Sequence, residues 1–237
     1  MTLLNKVKTK ASSLKEFYLF QKLGVPSVKQ DKISKSLLKK YLPKQPVTID
    51  CGAHDGADSV ELAEILGGMV HAFEPVPSIF ERLKKRTNAF SNIACYNLAL
   101  SNESGEQYFF VSEGGSDASS SLLEPQEHLL DHPDTHFSNK IEVQAIKLDE
   151  WAQQQHITRV DMLWLDMQGF ELHMLKESKT ILDTVSVIHT EVSTKETYKG
   201  VSLYKDYRAF LEKKGFHVQL EAIPSGWDMG NVLFVRS

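Results

Sequence analysis

The residues of this chain best placed to do chemistry stand where short apolar runs give out. Val47-Thr48-Ile49 leads into Asp50-Cys51-Gly52-Ala53-His54-Asp55-Gly56, and an amphipathic stretch from Ser59 to Leu66 follows. Met69-Val70-His71-Ala72-Phe73 runs into Glu74-Pro75, and Val160-Asp161-Met162-Leu163-Trp164-Leu165 runs into Asp166. Strand, glycine turn, helix and strand in that order make a βαβ unit, whose sheet offers ligands to the carboxyl ends of its strands. Gly52 and Gly56 are expected to turn the chain sharply and let a ligand approach bare backbone. A helix behind them has N–H groups free for an anion. A dinucleotide fingerprint needs G-x-G-x-x-G; here the spacing is G-x-x-x-G with no third glycine, which favours a nucleoside carrying a smaller anion, such as a carboxylate, over a nicotinamide dinucleotide. Glu74, ending the second strand, suits both hydroxyls of a ribose.

A second group gathers at the fifth strand, Val185 to Val192. His189 and Glu191 are two residues apart, so they share a face and can share a pocket wall. They form the strongest acid–base pair in the sequence, although a strand-end His and Glu can equally make a structural hydrogen bond. Asp166, Glu191 and Asp228 could meet in space, but nothing in their spacing marks a metal site. His128, His132 and His136 recur every four residues, yet Pro133 interrupts them and favours solvated loop histidines over ligands.

Asp50-x-Gly52-x-x-x-Gly56 with Glu74-Pro75 resembles the S-adenosylmethionine-dependent methyltransferases of the Rossmann-like class. Asn97-Leu98-Ala99-Leu100-Ser101, Ser119-Ser120-Ser121-Leu122, Leu148-Asp149 and Leu165-Asp166-Met167-Gln168-Gly169-Phe170-Glu171 resemble the successive blocks of the FkbM family. The resemblance covers roughly residues 46 to 237. It implies S-adenosyl-L-methionine as cofactor, held by Asp50, Gly52, Ala53, His54, Gly56, Ser59, Glu74, Pro75, Asn97, Ala99, Ser119, Ser120 and Asp166. The reaction it implies is methyl transfer to a hydroxyl of a small metabolite, sugar or glycan, with Glu191 or His189 as base and Asp166 orienting cofactor or acceptor. The family usually has Asp-Val-Glu-Gly where this chain has Asp166-Met167-Gln168-Gly169, so any role of that glutamate lacks its residue here. Two other readings remain: a scaffold protein on a methyltransferase fold, and a nicotinamide oxidoreductase, which the missing glycine disfavours.

The elements that must position these residues follow from periodicity. Helices are expected at Ile79–Ala89, Trp151–His156, Phe170–Leu182 and Leu203–Lys214, with strands at Ile93–Leu98, His217–Ala222 and Asn231–Arg236. Residues 105–111 and 141–148 alternate as a half-exposed hairpin, and the Gly/Ser stretch between them can fold over a cofactor. Asn97, at a strand end, could read an adenine edge with its amide. Glu171 is expected to favour its helix dipole. The loop Pro224 to Gly230, with Trp227 and Asp228, suits an acceptor rim. The fold class is α/β: a Rossmann-like, doubly wound, seven-stranded sheet with an antiparallel last strand, plus an N-terminal helical arm.

Charge and composition set the bounds. Residues 1–45 hold eleven lysines against Glu16 and Asp31, a balance of +9, so the remaining 192 residues carry −13 of the total of −4. The division is a basic helical arm, 1–45, on an acidic methyltransferase domain, 46–237. The arm either packs with its lysines in water or serves as a lid or a surface for an anionic partner. Lysines without interleaved arginines and aromatics argue against nucleic acid. The 41% hydrophobic content fits a globular domain, and no apolar run reaches the ~20 residues of a membrane span. The basic start has no uninterrupted apolar segment, so a cytoplasmic location is expected. Cys51 and Cys95 lie in apolar strands and read as small buried hydrophobes.

Overall fold

The computed structural model describes residues 32–114, 117–125 and 134–237. Residues 1–31 of the arm, and His128 and His132, lie outside the described residues. The chain runs through α1 (Lys35–Leu38), β1 (Val47–Cys51), α2 (Ala57–Leu66), β2 (Met69–Phe73), α3 (Pro77–Thr87), β3 (Ile93–Tyr96), β4 (Ala99–Leu100), β5 (Gly105–Gly114) and β6 (Thr135–Ile146). It continues through α4 (Leu148–Gln154), β7 (Met162–Leu165), α5 (Glu171–Glu177), α6 (Lys179–Leu182), β8 (Val187–Ser193), α7 (Tyr204–Lys213), β9 (Phe216–Ala222) and β10 (Met229–Arg236).

Seven strands form one sheet in the order β3-β2-β1-β7-β8-β10-β9. β1 pairs in parallel with β2 and β7, and β10 runs antiparallel to both β8 and β9. The chain winds outward from β1 to β3 and then returns to β7 on the other side of β1. That reversal opens a crevice above the carboxyl ends of β1 and β7. The expected hairpin forms a second sheet, β4-β6-β5.

Period two divides each central strand between two cores. Ile49, Cys51, Leu163, Leu165 and Ile188 face α4 and α5, while Met162, Trp164 and Val187 face α1 and α2. On the first side, Trp151 sits edge-on to Phe73 and Tyr96 with ring centroids 5.0 and 5.3 Å away. On the second, Ile33 and Leu38 of the arm are buried with Leu62 and Val70, so the described end of the arm packs on the sheet face. Lys35 does not stay in water: it pairs with Asp58 and Glu61 and lies 4.7 Å above the Trp164 ring.

The expected helix Phe170–Leu182 is two helices. Ser178 leaves helical geometry at φ −90°, ψ 62°, and its hydroxyl donates to the Met174 carbonyl. A serine hydroxyl competes with the helical ladder in this way. Asp149 supplies the start of α6, accepting the N–H groups of Thr180 and Ile181 at 2.8 and 2.9 Å.

The glycine turn differs from its sequence reading. At Gly52, φ +80°, a Cβ would lie 1.9 Å from the Asp166 carbonyl oxygen, so the bare backbone admits the end of β7. At Gly56, φ +86°, a Cβ would meet Leu83 Cδ1 at 2.7 Å, so that glycine admits α3. Both positions are required by the protein's own packing. Gly52→Ala is therefore expected to lower unfolding free energy by more than the ~1–2 kcal/mol that a left-handed non-glycine residue costs alone. Urea denaturation measures the difference.

Candidate active site

A cleft open to solvent, with about 650 Å³ of empty space that includes that open solvent, lies above the ends of β1, β2 and β7. Phe73, Ile79, Leu98, Leu100, Phe109 and Phe170 make its walls apolar, and Asp117, Ala118, Ser120 and Leu122 of the Gly/Ser segment cover it. Among the residues singled out in the sequence, Gly52, His54, Glu74, Pro75, Ala99, Ser120 and Asp166 line it.

Glu74 is buried at the end of β2. Its Oε2 accepts the His54 N–H at 3.1 Å and its Oε1 the Val76 N–H at 2.8 Å. A carboxylate has about four acceptor sites, so both oxygens keep capacity for a diol. Burial pushes its pKa up to about 7, against the pull of those two N–H groups. Asn97 is occupied otherwise than expected: its amide nitrogen donates to the carbonyls of Glu74 and Pro75, each at 2.9 Å, so it fixes the turn that presents the acid.

The remaining sequence-predicted contacts stand behind the cleft. Asp50 points to the α2 side of the sheet, where Ser59 Oγ donates to it at 2.5 Å. Its other oxygen has no partner among the described residues, and burial raises its pKa to about 7. Ala53 packs against Ala72 and Leu83. Ser119 donates its N–H to Ser112 Oγ at 3.0 Å, and its carbonyl accepts the Tyr198 hydroxyl at 2.8 Å. Cys51 is buried and its pKa is driven well up by burial, which keeps it an inert thiol.

The cover is tied down at Asp117, whose two oxygens meet His54 Nε2 at 3.0 Å and Arg82 at 2.8 Å. Partial burial would raise the Asp117 pKa, but the bond and charge of Arg82, with His54, hold it below the usual carboxylate range.

At the end of β7 the chain turns through Gln168, φ +51°, and Gly169, φ +95°. Glu171 secures this turn more directly than a dipole would: its carboxylate accepts the N–H groups of Met167 at 2.8 Å and Gly169 at 3.3 Å. Burial raises the Glu171 pKa to about 7. Gln168 Nε2 then donates to Asp166 Oδ1 at 2.8 Å and to Glu191 Oε2 at 3.1 Å, bringing two predicted acids together. The Tyr198 hydroxyl lies 3.3 Å from Gln168 Oε1. Tyr198 escaped the sequence reading because it sits in a loop without periodicity.

His189 must be corrected. It faces the same way as Glu191 but one step deeper, in register with Trp164, whose ring stacks on it in parallel at 3.6 Å. Burial, with Lys35 adding, lowers its pKa to about 3, so it is neutral and sealed from the cleft. Asp228 is drawn to Lys195 at 2.6 Å. Among the described residues no group of three or more His, Cys, Asp or Glu is placed to hold a metal, and no helix is long and apolar enough to cross a membrane.

The sheet order, with a cleft at its switch point, is that of a Rossmann-like methyltransferase of class I. The chain belongs to the methyltransferase FkbM domain family, whose model matches residues 50–218. It is 28% identical over 193 residues to the 2-O-methyltransferase NoeI of Sinorhizobium fredii, covering 79% of this chain and 78% of that one. The fold is similar to that of a Methanococcus jannaschii fibrillarin pre-rRNA processing protein, at a TM-score of 0.50 and 15% identity, over 86% of this chain and 73% of that one. The protein is an S-adenosylmethionine-dependent methyltransferase. The cleft fits that cofactor: apolar walls for the purine and an acid with spare acceptors for the diol.

Glu74→Ala is expected to weaken S-adenosylhomocysteine binding by roughly 1–3 kcal/mol, read by calorimetry. Glu171 tests the turn differently. Its folded pKa lies above the ordinary value, so its favourable contribution to stability is complete below about 4.5 and is lost as pH rises toward 7. The melting temperature of wild type relative to Glu171→Gln should therefore fall across that interval.

Proposed function

We propose that the protein transfers the cofactor's methyl group to a hydroxyl oxygen of a sugar or glycan. The observation that carries this reading is the convergence of Asp166, which lines the cleft, and Glu191 on the one amide nitrogen of Gln168. The relative named a 2-O-methyltransferase supports oxygen as the atom methylated.

When bound, S-adenosylmethionine supplies a methyl group already activated by positive sulfur. The protein is left to align a nucleophile, exclude water and manage one proton. A neutral hydroxyl is a weak nucleophile, so a base that takes its proton as the carbon–oxygen bond forms and the carbon–sulfur bond breaks is useful. Glu191, half-buried and one residue beyond Thr190 in β8, stands level with Asp166 and suits that role at Oε. Asp166 lines the cleft and orients the donor or the acceptor. The apolar walls and the covering segment keep water from the reacting groups. Trp227 is 57% exposed on a loop tied to the end of β8 by the Thr194 N–H bond to the Asp228 carbonyl at 2.7 Å. Its broad face suits the C–H side of a sugar ring.

A screen of monosaccharides and glycans with methyl-labelled cofactor tests the reading, the labelled atom being located by NMR. Label on oxygen is the expected result, and label only on nitrogen or carbon overturns it. On an acceptor so found, Glu191→Gln should lower turnover by about 10²–10⁴-fold, the usual reach of a general base, with S-adenosylhomocysteine affinity nearly unchanged. An unaltered rate removes Glu191 from the reaction.

A further inference from the structure

We propose that Gln168 is a positioning residue whose carboxamide keeps Asp166 and Glu191 both ionised and held toward the same reacting centre. The inference rests on the O-methyl transfer reading, and it assigns to this side chain a task that the reading leaves open.

Both hydrogens of the Gln168 amide are engaged, one on Asp166 Oδ1 and one on Glu191 Oε2. Two carboxylates within reach of one nitrogen repel, and losing the donor between them favours a proton on one; at Asp166 burial already raises the pKa and the Gln168 bond opposes it. A protonated Glu191 could not serve as base, and a protonated Asp166 would lose its attraction for a sulfonium. The amide is held this way round by the acids themselves, because turning it over would point its oxygen at two carboxylates in place of its two donor hydrogens. Nor can the backbone shift freely: the Ser121 hydroxyl donates to the Gln168 carbonyl at 3.0 Å, and Gln168 holds a left-handed φ. Among the described residues, the other groups that act on the pair include Asp50 from β1, His54 and Asp58 from the glycine turn and α2, Glu171 from α5, and Tyr198. Beyond them Lys195 pairs with Asp228. Gln168 bonds to both acids.

Calorimetry with S-adenosylmethionine and S-adenosylhomocysteine can read this without an acceptor. The two ligands share a ribose, so the titration of Glu74 cancels in their affinity ratio. They differ in the charge on sulfur, so the ratio reports the charge of the acids beside it. Between about pH 5.5 and 8.5 the wild-type ratio is the reference, because it carries the titrations of Asp50 and Glu171 that every variant shares. In Gln168→Leu the preference for the charged ligand should drop by about tenfold more than in wild type as pH falls through the interval where one acid gains a proton, one pKa unit corresponding to that factor. Gln168→Glu keeps the shape and replaces the donor by a third acid, so it decides the matter if the leucine variant no longer binds S-adenosylhomocysteine. Its ratio should vary with pH at least as steeply as that of the leucine variant. A profile no steeper than wild type in the glutamate variant would sink the proposal. Should the ratio behave as stated while wild type methylates no hydroxyl, the reading of the reaction fails and the role of Gln168 stands.

Discussion

Irregular backbone at the carboxyl end of a parallel sheet carries N–H groups that no neighbouring strand can satisfy, and in this protein buried carboxylates accept them. Glu74 takes the N–H groups of His54 and Val76, and Glu171 those of Met167 and Gly169. A hydrogen bond to a charged group contributes about 1.5–3 kcal/mol, and an orphaned buried donor costs a comparable amount. The glycine turn after β1 and the turn after β7 both depend on this arrangement. It has an electrostatic consequence. Burial lifts both Glu74 and Glu171 to about 7, so two groups that shape the site sit near their own titration at neutral pH.

Much of the architecture was legible because β1, β2 and β7 are apolar runs that end in punctuation: glycine after one, acids after the others. The order of those runs with helical stretches between them dictates a doubly wound sheet, and the alternation in residues 105–111 announces a hairpin. The sequence marks Gly52 as a place that needs bare backbone. It does not say what approaches, and the answer is the Asp166 carbonyl from a strand more than a hundred residues away. Asn97 shows the same limit. An amide at a strand end is a candidate reader of bases until the fold brings two carbonyls to it.

Period two gives the face of a strand and leaves its depth open. His189 and Glu191 obey it, yet Trp164 stacks on one and the Gln168 amide bonds the other. Depth follows from register with β7, a non-local quantity. A buried stack on tryptophan removes the histidine's charge as well as its access, so the residue type best known for proton transfer carries packing here. Tyr198 is the converse case: an aromatic in an irregular loop, without periodicity, that folding places between Ser119 and Gln168.

Those two bonds link the cover of the cleft to its chemistry. The segment over the cofactor space is fastened near one end by Asp117 to His54 and Arg82, and further along Ser121 donates to the carbonyl of Gln168. Tyr198 then joins the Ser119 carbonyl to the Gln168 side chain. The wall that excludes water and the turn that aims Asp166 and Glu191 are therefore one hydrogen-bonded unit. The covering segment at residues 117–122 thus bears on the same turn that holds Asp166 and Glu191: Ser121 reaches the Gln168 backbone directly, and Ser119 reaches its carboxamide through Tyr198 alone.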